Sequence, residues 1–137
     1  MVRKLGKKNR VLCTSREYIE VTNLAKIRHF NLKIVGKHGG GDKSDKLAAS
    51  LDRMKNLSKI VEKFFPDLTV SFCSPEASRI AFGLGINHIA FSDSPHASAV
   101  MRLSVPLVQK LLIPWVIPKK EFIKYGISEK NIILYKA

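Results

Sequence analysis

The sequence predicts an α/β fold, with a mostly parallel sheet of about five or six strands and helices on both faces. Three observations predict it. Short apolar segments alternate along the 137 residues with longer segments of helical periodicity. The short segments are almost continuously apolar, which is typical of strands buried on both faces of a parallel sheet. Polar or glycine-rich turns follow three of these segments directly, and open α/β sheets bind ligands at this edge.

The N-terminal half is predicted to contain two strands and two helices. Strands are expected at residues 10–15 and 32–35, with a helix over 17–29 between them. A long amphipathic helix is expected from Lys43 to Phe65, where Pro66 ends it. Residues 2–9 are similar to the last turns of a helix and its exit into the first strand. Because a parallel sheet would normally begin one strand earlier, we expect the chain to be a fragment.

The C-terminal half continues the alternation of strands and helices. Strands are expected at residues 68–71, 88–92, 110–113 and 131–135. A helix through Glu76 and Phe82 should end at Gly83 or Gly85, and further helices are expected over 97–108 and 119–125. Since no linker or repeat interrupts the pattern, residues 1–137 are predicted to form a single domain.

The net charge of +13 favours anionic partners. Residues 1–66 hold sixteen basic and six acidic side chains, whereas residues 67–137 hold eight and five. Sugar nucleotides, nucleic acid and anionic lipid head groups would all fit such a charge, and so would a solvated basic surface without a specific partner. The charge therefore indicates a class of partner without selecting one.

Several other classes of protein are not indicated by the sequence. Cys13 and Cys73 lack CxxC spacing, so neither a disulfide framework nor a zinc site is predicted, and a reducing cytoplasm fits best. Neither the P-loop nor the Rossmann glycine spacing is present, and we predict no cofactor. No apolar run approaches the roughly 18 residues of a membrane span. The basic N-terminus lacks the apolar region of a secretory signal.

A glycine-rich turn follows the second predicted strand and is a candidate anion or substrate site. Its members are Lys37, His38, Gly39, Gly40 and Gly41. Glycines permit positive φ and close approach of the backbone, and a lysine can meet a phosphate. A flexible turn without a ligand explains the same residues.

Two polar turns follow later strands. Ser74 and Glu76 belong to the turn at 71–76, where Cys73 is expected to be a small buried residue rather than a nucleophile. Asp93, Ser94 and His96 belong to the turn at 92–97.

Asp93 and His96 are three residues apart, and this pair could bind sugar hydroxyls or share a proton. Asp93 or Ser94 could equally cap a helix that begins near Pro95. Arg102 follows His96 by nearly two helical turns and is a further binding candidate, although a surface salt bridge explains it as well.

Five motifs in order resemble the largely archaeal domain-of-unknown-function family 354. They are residues 14–18 (TSREY), 35–40 (VGKHGG), 74–77 (SPEA), 81–86 (AFGLGI) and 93–97 (DSPHA). Members of that family are similar to glycosyltransferases with two Rossmann-like domains and to UDP-N-acetylglucosamine 2-epimerase. The resemblance covers nearly the whole chain and implies a Rossmann-like fold.

By this resemblance, the chain is part of an N-terminal domain. Family members usually begin with a strand and most of a helix that this chain lacks, and they continue into a second domain. In the related two-domain enzymes, the second domain supplies most nucleotide-sugar contacts, so the resemblance implies loops on the substrate side and no activity alone. Phe72 and Cys73 stand where members often have a His-Gly pair, which is a departure from the family pattern.

Two other readings of the sequence remain open. One is a basic nucleic-acid-binding module, suggested by the charge of the first half and by the basic residues of the long helix. No recognisable reading motif or aromatic stacking platform accompanies them. The other is a non-catalytic remnant that folds poorly, because a missing first strand would expose apolar sheet surface.

Overall fold

The computed structural model describes residues 2–136, which form two compact units, one up to Phe64 and one from Phe65. The first contains helix α1 (Val2–Leu5), strand β1 (Thr14–Ser15), helix α2 (Ile19–Ile27), strand β2 (Lys33–Ile34) and helix α3 (Lys43–Phe64). The second contains β3 (Leu68–Ser71), α4 (Pro75–Gly83), β4 (Asn87–Phe91), α5 (Ser98–Ser104), β5 (Lys110–Pro114), α6 (Lys120–Ile123) and β6 (Ile132–Tyr135). Short 3₁₀ turns lie at Val105–Leu107 and Glu129–Asn131.

In the first unit, β1 and β2 form a parallel pair with Thr14 opposite Lys33. Val35 is buried directly after β2, and its carbonyl accepts a hydrogen bond from the buried guanidinium of Arg53 on α3. This contact joins the long helix to the end of the small sheet. It also removes Arg53 from the exposed basic surface on which the nucleic-acid reading depended.

In the second unit, four parallel strands are arranged in the order β3-β4-β5-β6. Their register places Ser71 opposite Ala90, Ala90 opposite Leu111, and Leu111 opposite Ile132. These central side chains point to one face of the sheet, where the helices pack. The core on this face includes Met101, Val105 and Phe122, all nearly inaccessible to solvent.

The predicted α/β class with parallel strands and flanking helices is confirmed, but the single sheet of five or six strands is wrong. Within residues 2–136, six strands form a two-stranded and a four-stranded sheet. The two sheets are separate because β3, among these residues, pairs with β4 alone. The helix expected over 97–108 is also shorter, since Pro106 cannot continue the α-helical hydrogen bonding and a 3₁₀ turn replaces it.

No helix within residues 2–136 combines the length and the apolar character needed to cross a membrane. The mean hydropathy of the longest helix, α3, is lowered by the many charged residues along it.

Candidate functional site at the carboxyl ends of the strands

The glycine-rich turn lies where β2 ends. Lys37 and His38 are exposed there, and the His38 ring packs against Tyr18 with ring centroids 5.8 Å apart. The Gly40 amide donates a hydrogen bond to Nδ1 of His38 over 3.2 Å. The turn therefore presents one cation and one imidazole to solvent, and the imidazole is held by its own loop.

Two glycines of this turn are explained by packing and backbone conformation. A Cβ on Gly39 would lie 2.6 Å from both the Asp45 carbonyl oxygen and the Lys46 Cα, so this residue must be glycine for α3 to begin where it does. Gly40 has φ +68°, in the left-handed region that favours glycine. A Cβ on Gly41 would meet no atom within 4 Å, so the structure gives no packing reason for that glycine.

The turn after β3 is held by a network of half-buried hydrogen bonds. Ser74 is the N-cap of α4, and its hydroxyl accepts a hydrogen bond from the Ala77 amide at 3.3 Å and donates to Glu76 Oε2 at 3.0 Å. Glu76 is 1% exposed. These two predicted site residues therefore shape the loop from within, and the Glu76 carboxylate does not reach the surface.

Cys73 occupies the centre of this turn in a left-handed conformation, with φ +39°. Burial raises the pKa of its thiol to about 11, and a hydrogen bond with Ser92 offsets part of that effect. The Cys73 carbonyl accepts a hydrogen bond from the Ser104 hydroxyl at 3.1 Å. A thiol with so high a pKa is a poor nucleophile at neutral pH, as the sequence predicted.

His88 is a functional candidate that the sequence did not reveal. It is fully buried on β4, and its Nε2 lies 2.9 Å from the Ser71 hydroxyl at the end of β3. Within the described part of the chain its Nδ1 has no hydrogen-bond partner, and burial lowers the pKa of the imidazole to about 4. The Ser71 hydroxyl also accepts a hydrogen bond from the Ser74 amide at 3.3 Å. Because His88 contacts this hydroxyl, its neutral imidazole supports the turn at 71–74.

The turn after β4 carries two exposed ionisable side chains. Asp93 and His96 are both exposed, and Asp93 Oδ1 accepts a hydrogen bond from the Ser94 hydroxyl at 2.7 Å. No hydrogen bond or ion pair joins Asp93 to His96 among the residues described. The predicted capping role is wrong, because α5 begins at Ser98 with Ala97 as its N-cap and no side-chain cap. Both side chains thus remain available to a ligand.

Tyr125 holds this turn from a distant part of the sequence. Its hydroxyl donates a 2.7 Å hydrogen bond to the carbonyl of Pro95. The same tyrosine lines an open cleft of about 640 Å³ together with Ser98, Arg102, Pro106, Lys124 and Gly126. Arg102 is exposed in this cleft, whereas Lys124 is engaged by Glu121 at 2.9 Å. Arg102 is therefore the cation best placed to receive an anionic group there.

Three aromatic rings form a row at the same ends of the strands. Phe91 stacks on Phe72 at 5.4 Å between centroids and meets Tyr135 edge-on at 5.8 Å. The sequence signal for this row was the aromatic residue at or directly after three apolar strands, but only the register shows which rings meet. Among residues 2–136, no group of three or more His, Cys, Asp or Glu side chains is arranged to hold a metal ion.

Known proteins share this fold at low sequence identity. The A. baumannii MurG crystal structure superposes with TM-score 0.72 and 10% identity, over 98% of this chain and 39% of MurG. UDP-GlcNAc 2-epimerase from Neisseria meningitidis, bound to UDP-GlcNAc, superposes with TM-score 0.71 and 16% identity, over 97% of this chain and 41% of the epimerase. At such identities the likeness shows the fold, which is Rossmann-like.

A sequence relative is the uncharacterised protein MJ0665 of the archaeon Methanocaldococcus jannaschii. It is 30% identical over 126 residues, which are 92% of this chain and 36% of the relative. The chain thus spans about a third of the length of that relative. All of residues 1–137 match the family described as Protein of unknown function (DUF354), and the chain belongs to that family.

Proposed function

We propose that residues 1–137 form the substrate-side part of the N-terminal domain of an enzyme that processes a nucleotide sugar. The observation that carries the proposal is the exposed pair Asp93 and His96 at the carboxyl end of β4, in a fold shared with an epimerase bound to UDP-GlcNAc. A fold alone does not define a function, which depends instead on the chemistry of the side chains in these loops.

The exposed groups match the two chemical parts of a nucleotide sugar. A carboxylate such as Asp93 accepts hydrogen bonds from sugar hydroxyls, and the His96 imidazole can either donate or accept one. The Arg102 guanidinium offers paired donors to a phosphate, with the Ser98 hydroxyl in the same cleft. In the first unit, Lys37 and His38 provide a separate exposed position for an anion.

Ser74 and Glu76 have a supporting role in this proposal. They fix the turn that follows β3 through the cap of α4 and the buried carboxylate. Gly39 and Gly40 similarly fix the shape of the first turn, which places Lys37 and His38 in solvent.

A second Rossmann-like domain or subunit completes the enzyme in this account. This chain spans about two fifths of MurG and of the epimerase, so much of either protein has no counterpart here. The exposed turns of the second unit then form one wall of a cleft, and the reaction is a glycosyl transfer or an epimerisation. We expect residues 1–137 alone to turn over no sugar nucleotide.

Binding of UDP-GlcNAc measured by titration calorimetry tests the proposal. We expect weak binding that falls about tenfold or more in Asp93→Asn and in Arg102→Gln, because each change removes a hydrogen-bonding charge. Arg79→Gln is the matched control, since Arg79 is exposed on α4 outside the cleft and the turns. Equal binding by all variants would refute the assignment of the site.

Turnover by the isolated chain tests the need for a second domain. A measurable rate on UDP-GlcNAc that disappears in His96→Ala would show that residues 1–137 are catalytic by themselves. The expected result is no rate with either protein, while binding persists.

Nucleic acid is the second candidate partner, favoured by the charge of the first unit. Helix α3 exposes several lysines: Lys43, Lys46, Lys55, Lys59 and Lys63. Binding through phosphate contacts would weaken steeply with salt. If neither duplex nor single-stranded nucleic acid binds at about 50 mM salt, this candidate is eliminated.

A further inference from the structure

The turn after β5 exposes the only tryptophan of the sequence at the carboxyl edge of the four-stranded sheet. Trp115 follows Pro114, the last residue of β5, and its side chain is 58% exposed. The neighbouring Val116 is 65% exposed. An indole has a large apolar surface, and ligands of open α/β sheets bind at this edge. The exposed ring is therefore a candidate contact surface for a ligand.

Hydrogen bonds and packing hold the backbone that carries this indole. The Trp115 amide donates a hydrogen bond to the Tyr135 carbonyl at 2.9 Å. The Ile117 amide donates to the Pro114 carbonyl at 3.0 Å, and the Ile117 side chain packs against the buried core. Pro114 and Pro118 have a fixed φ and lie at the two ends of the turn. The turn thus presents the indole in a defined position, which lowers the entropy cost of binding a ligand.

A lysine ammonium lies over the indole ring. The Nζ of Lys136 is 5.6 Å from the centroid of the Trp115 ring, within the range of a cation–π contact. Lys119 in the same turn is paired with Glu129 at 3.8 Å, whereas no carboxylate within residues 2–136 forms an ion pair with Lys136. An apolar ring and an ammonium group without a carboxylate partner in that range are therefore neighbours.

We propose that Trp115 and Lys136 bind a pyranose that carries a carboxylate or a phosphate. The C–H face of the sugar packs on the indole, and its anionic group accepts a charge-assisted hydrogen bond from the Lys136 ammonium. A neutral sugar would use the indole alone. A nucleobase is uncharged, and the ribose separates it from the phosphate of a nucleotide. An anionic sugar therefore matches both groups at the short distance between them.

The place of this site on the sheet gives the sugar a role, and this role rests on the proposed function. β4 and β5 are neighbouring parallel strands about 4.8 Å apart. Where β4 ends, the Ser92 amide donates a hydrogen bond to the Leu112 carbonyl at 3.0 Å. The turns that carry Asp93 and Trp115 therefore begin side by side. A sugar on Trp115 lies beside a nucleotide sugar held at Asp93, as the acceptor of a glycosyl transfer.

The transfer joins the two substrates through one new bond. A hydroxyl oxygen of the acceptor forms a bond to the anomeric carbon of the donor sugar. The bond between that carbon and the diphosphate oxygen breaks, and the diphosphate leaves with the electron pair. The hydroxyl proton passes to a base, and the exposed imidazole of His96 is a nitrogen base in the turn after β4.

Tryptophan fluorescence of residues 1–137 tests the site, because all of this signal comes from Trp115. Methyl glucuronide is the acidic probe, and methyl glucoside is the neutral probe of the same ring. We expect a saturable change in emission, with methyl glucuronide binding about fivefold more tightly because only its carboxylate pairs with Lys136. Equal affinity for the two sugars would overturn the proposal, and so would unchanged emission with both.

A substitution at Lys136 separates the ion pair from the ring contact. Lys136→Gln should lower the affinity for methyl glucuronide to that for methyl glucoside and leave the latter unchanged. Lys130→Gln is the matched control, because Lys130 is exposed before the amino end of β6 whereas Lys136 follows its carboxyl end. Equal losses in the two variants would indicate a general effect of charge and would overturn the assignment.

Saturation-transfer NMR gives a readout that does not depend on fluorescence. Transfer from the protein should be strongest to the axial C–H protons on one face of methyl glucuronide, because that face packs on the indole. Trp115→Ser should remove this transfer while the exposed position leaves the fold intact. Persistent transfer in Trp115→Ser would contradict the proposed contact.

Two further ligands distinguish this proposal from the proposed function. A stronger emission response to uridine than to methyl glucuronide would make a base the ligand of Trp115 and overturn the sugar site. Binding of UDP-GlcNAc without any binding of methyl glucuronide would refute the sugar site alone. Binding of methyl glucuronide without binding of UDP-GlcNAc would support the sugar site and refute the proposed function.

Discussion

Polar side chains at the carboxyl ends of β3 and β4 fall into two environments. Glu76 and His88 are buried and hold the backbone of the turns, whereas Asp93, His96 and Arg102 are exposed. The buried groups were either missed or interpreted as ligand contacts from the sequence, because burial depends on which face of a strand or helix a residue occupies. The exposed groups carry the proposed binding chemistry.

His88 should make stability dependent on pH. Burial lowers the pKa of His88 from the ordinary value of 6.5, which applies to the unfolded chain, to about 4 in the folded protein. Between these two pH values only the unfolded chain gains a proton at this imidazole. The free energy of unfolding therefore has its full value above pH 6.5 and decreases as the pH falls towards 4, by up to about 3 kcal/mol. Urea unfolding across this range measures the loss.

The variant His88→Gln separates this imidazole from other acid-sensitive groups. It should unfold more easily at neutral pH and lose less stability than the parent on acidification. His96→Gln is the control, because His96 is exposed and lies outside the buried contact between His88 and Ser71. An identical pH dependence in the parent and in His88→Gln would contradict the assignment.

The Tyr125 hydroxyl should contribute to the position of the turn after β4. Tyr125→Phe removes its hydrogen bond to the Pro95 carbonyl and should cost about 1 kcal/mol of stability. Faster amide exchange in residues 93–97 is expected as well. If exchange in this turn is unchanged, the hydrogen bond does not position it.

Among the elements, α4 depends on its N-cap. Ser74→Ala removes the acceptor for the Ala77 amide and the donor to Glu76, so we expect a loss of about 1–2 kcal/mol. Ser98→Ala at the start of α5 is the control, because α5 has no side-chain cap. Chemical denaturation of both variants gives the comparison, and equal losses would show that the cap is not responsible.

The glycine-rich turn and the start of α3 form another unit of structure. Gly39→Ala should destabilise the protein by about 1–3 kcal/mol, since its Cβ would meet backbone atoms of Asp45 and Lys46 at 2.6 Å. In Gly41→Ala the added Cβ would meet no atom within 4 Å, so this substitution should leave the stability nearly unchanged. Thermal unfolding distinguishes them, and similar Tm values would contradict the close approach.

Periodicity and turn residues were sufficient to predict most elements. The long helix, the strand at 68–71 and the helix through Glu76 lie close to the predicted ranges, because strong local signals such as Pro66 and Gly83 bound them. The first strand is shorter than predicted, with only Thr14 and Ser15 paired to β2. Strand length depends on the partner, which the local sequence does not specify.

The turns of the candidate site were predicted from the sequence, but the contacts between them were not. The turns at 36–41, 71–76 and 92–97 follow strands as expected, since a parallel sheet places such turns at its carboxyl edge. The contact of Tyr125 with Pro95 and that of Ser71 with His88 join residues 30 and 17 positions apart. Contacts over such separations come from strand order and register, which sequence periodicity leaves undetermined.

For the molecule as a whole, charge and fold point to different partners. Most of the excess of basic residues lies in the first unit, whereas Asp93, His96 and the Arg102 cleft belong to the second. Nucleic acid would engage the lysines of α3, and a nucleotide sugar would engage the turns and the cleft. The two accounts therefore predict different sets of contacted residues.

Mapping of backbone amide chemical shifts during a titration with UDP-GlcNAc tests the proposed nucleotide-sugar site. We predict progressive shifts at residues 93–98 and Arg102, smaller shifts at Lys37 and His38, and loss of the shifts at 93–98 and Arg102 in Asp93→Asn. Absence of shifts at these positions, with single-stranded DNA instead shifting the amides of α3, would contradict the nucleotide-sugar account and support the nucleic-acid one.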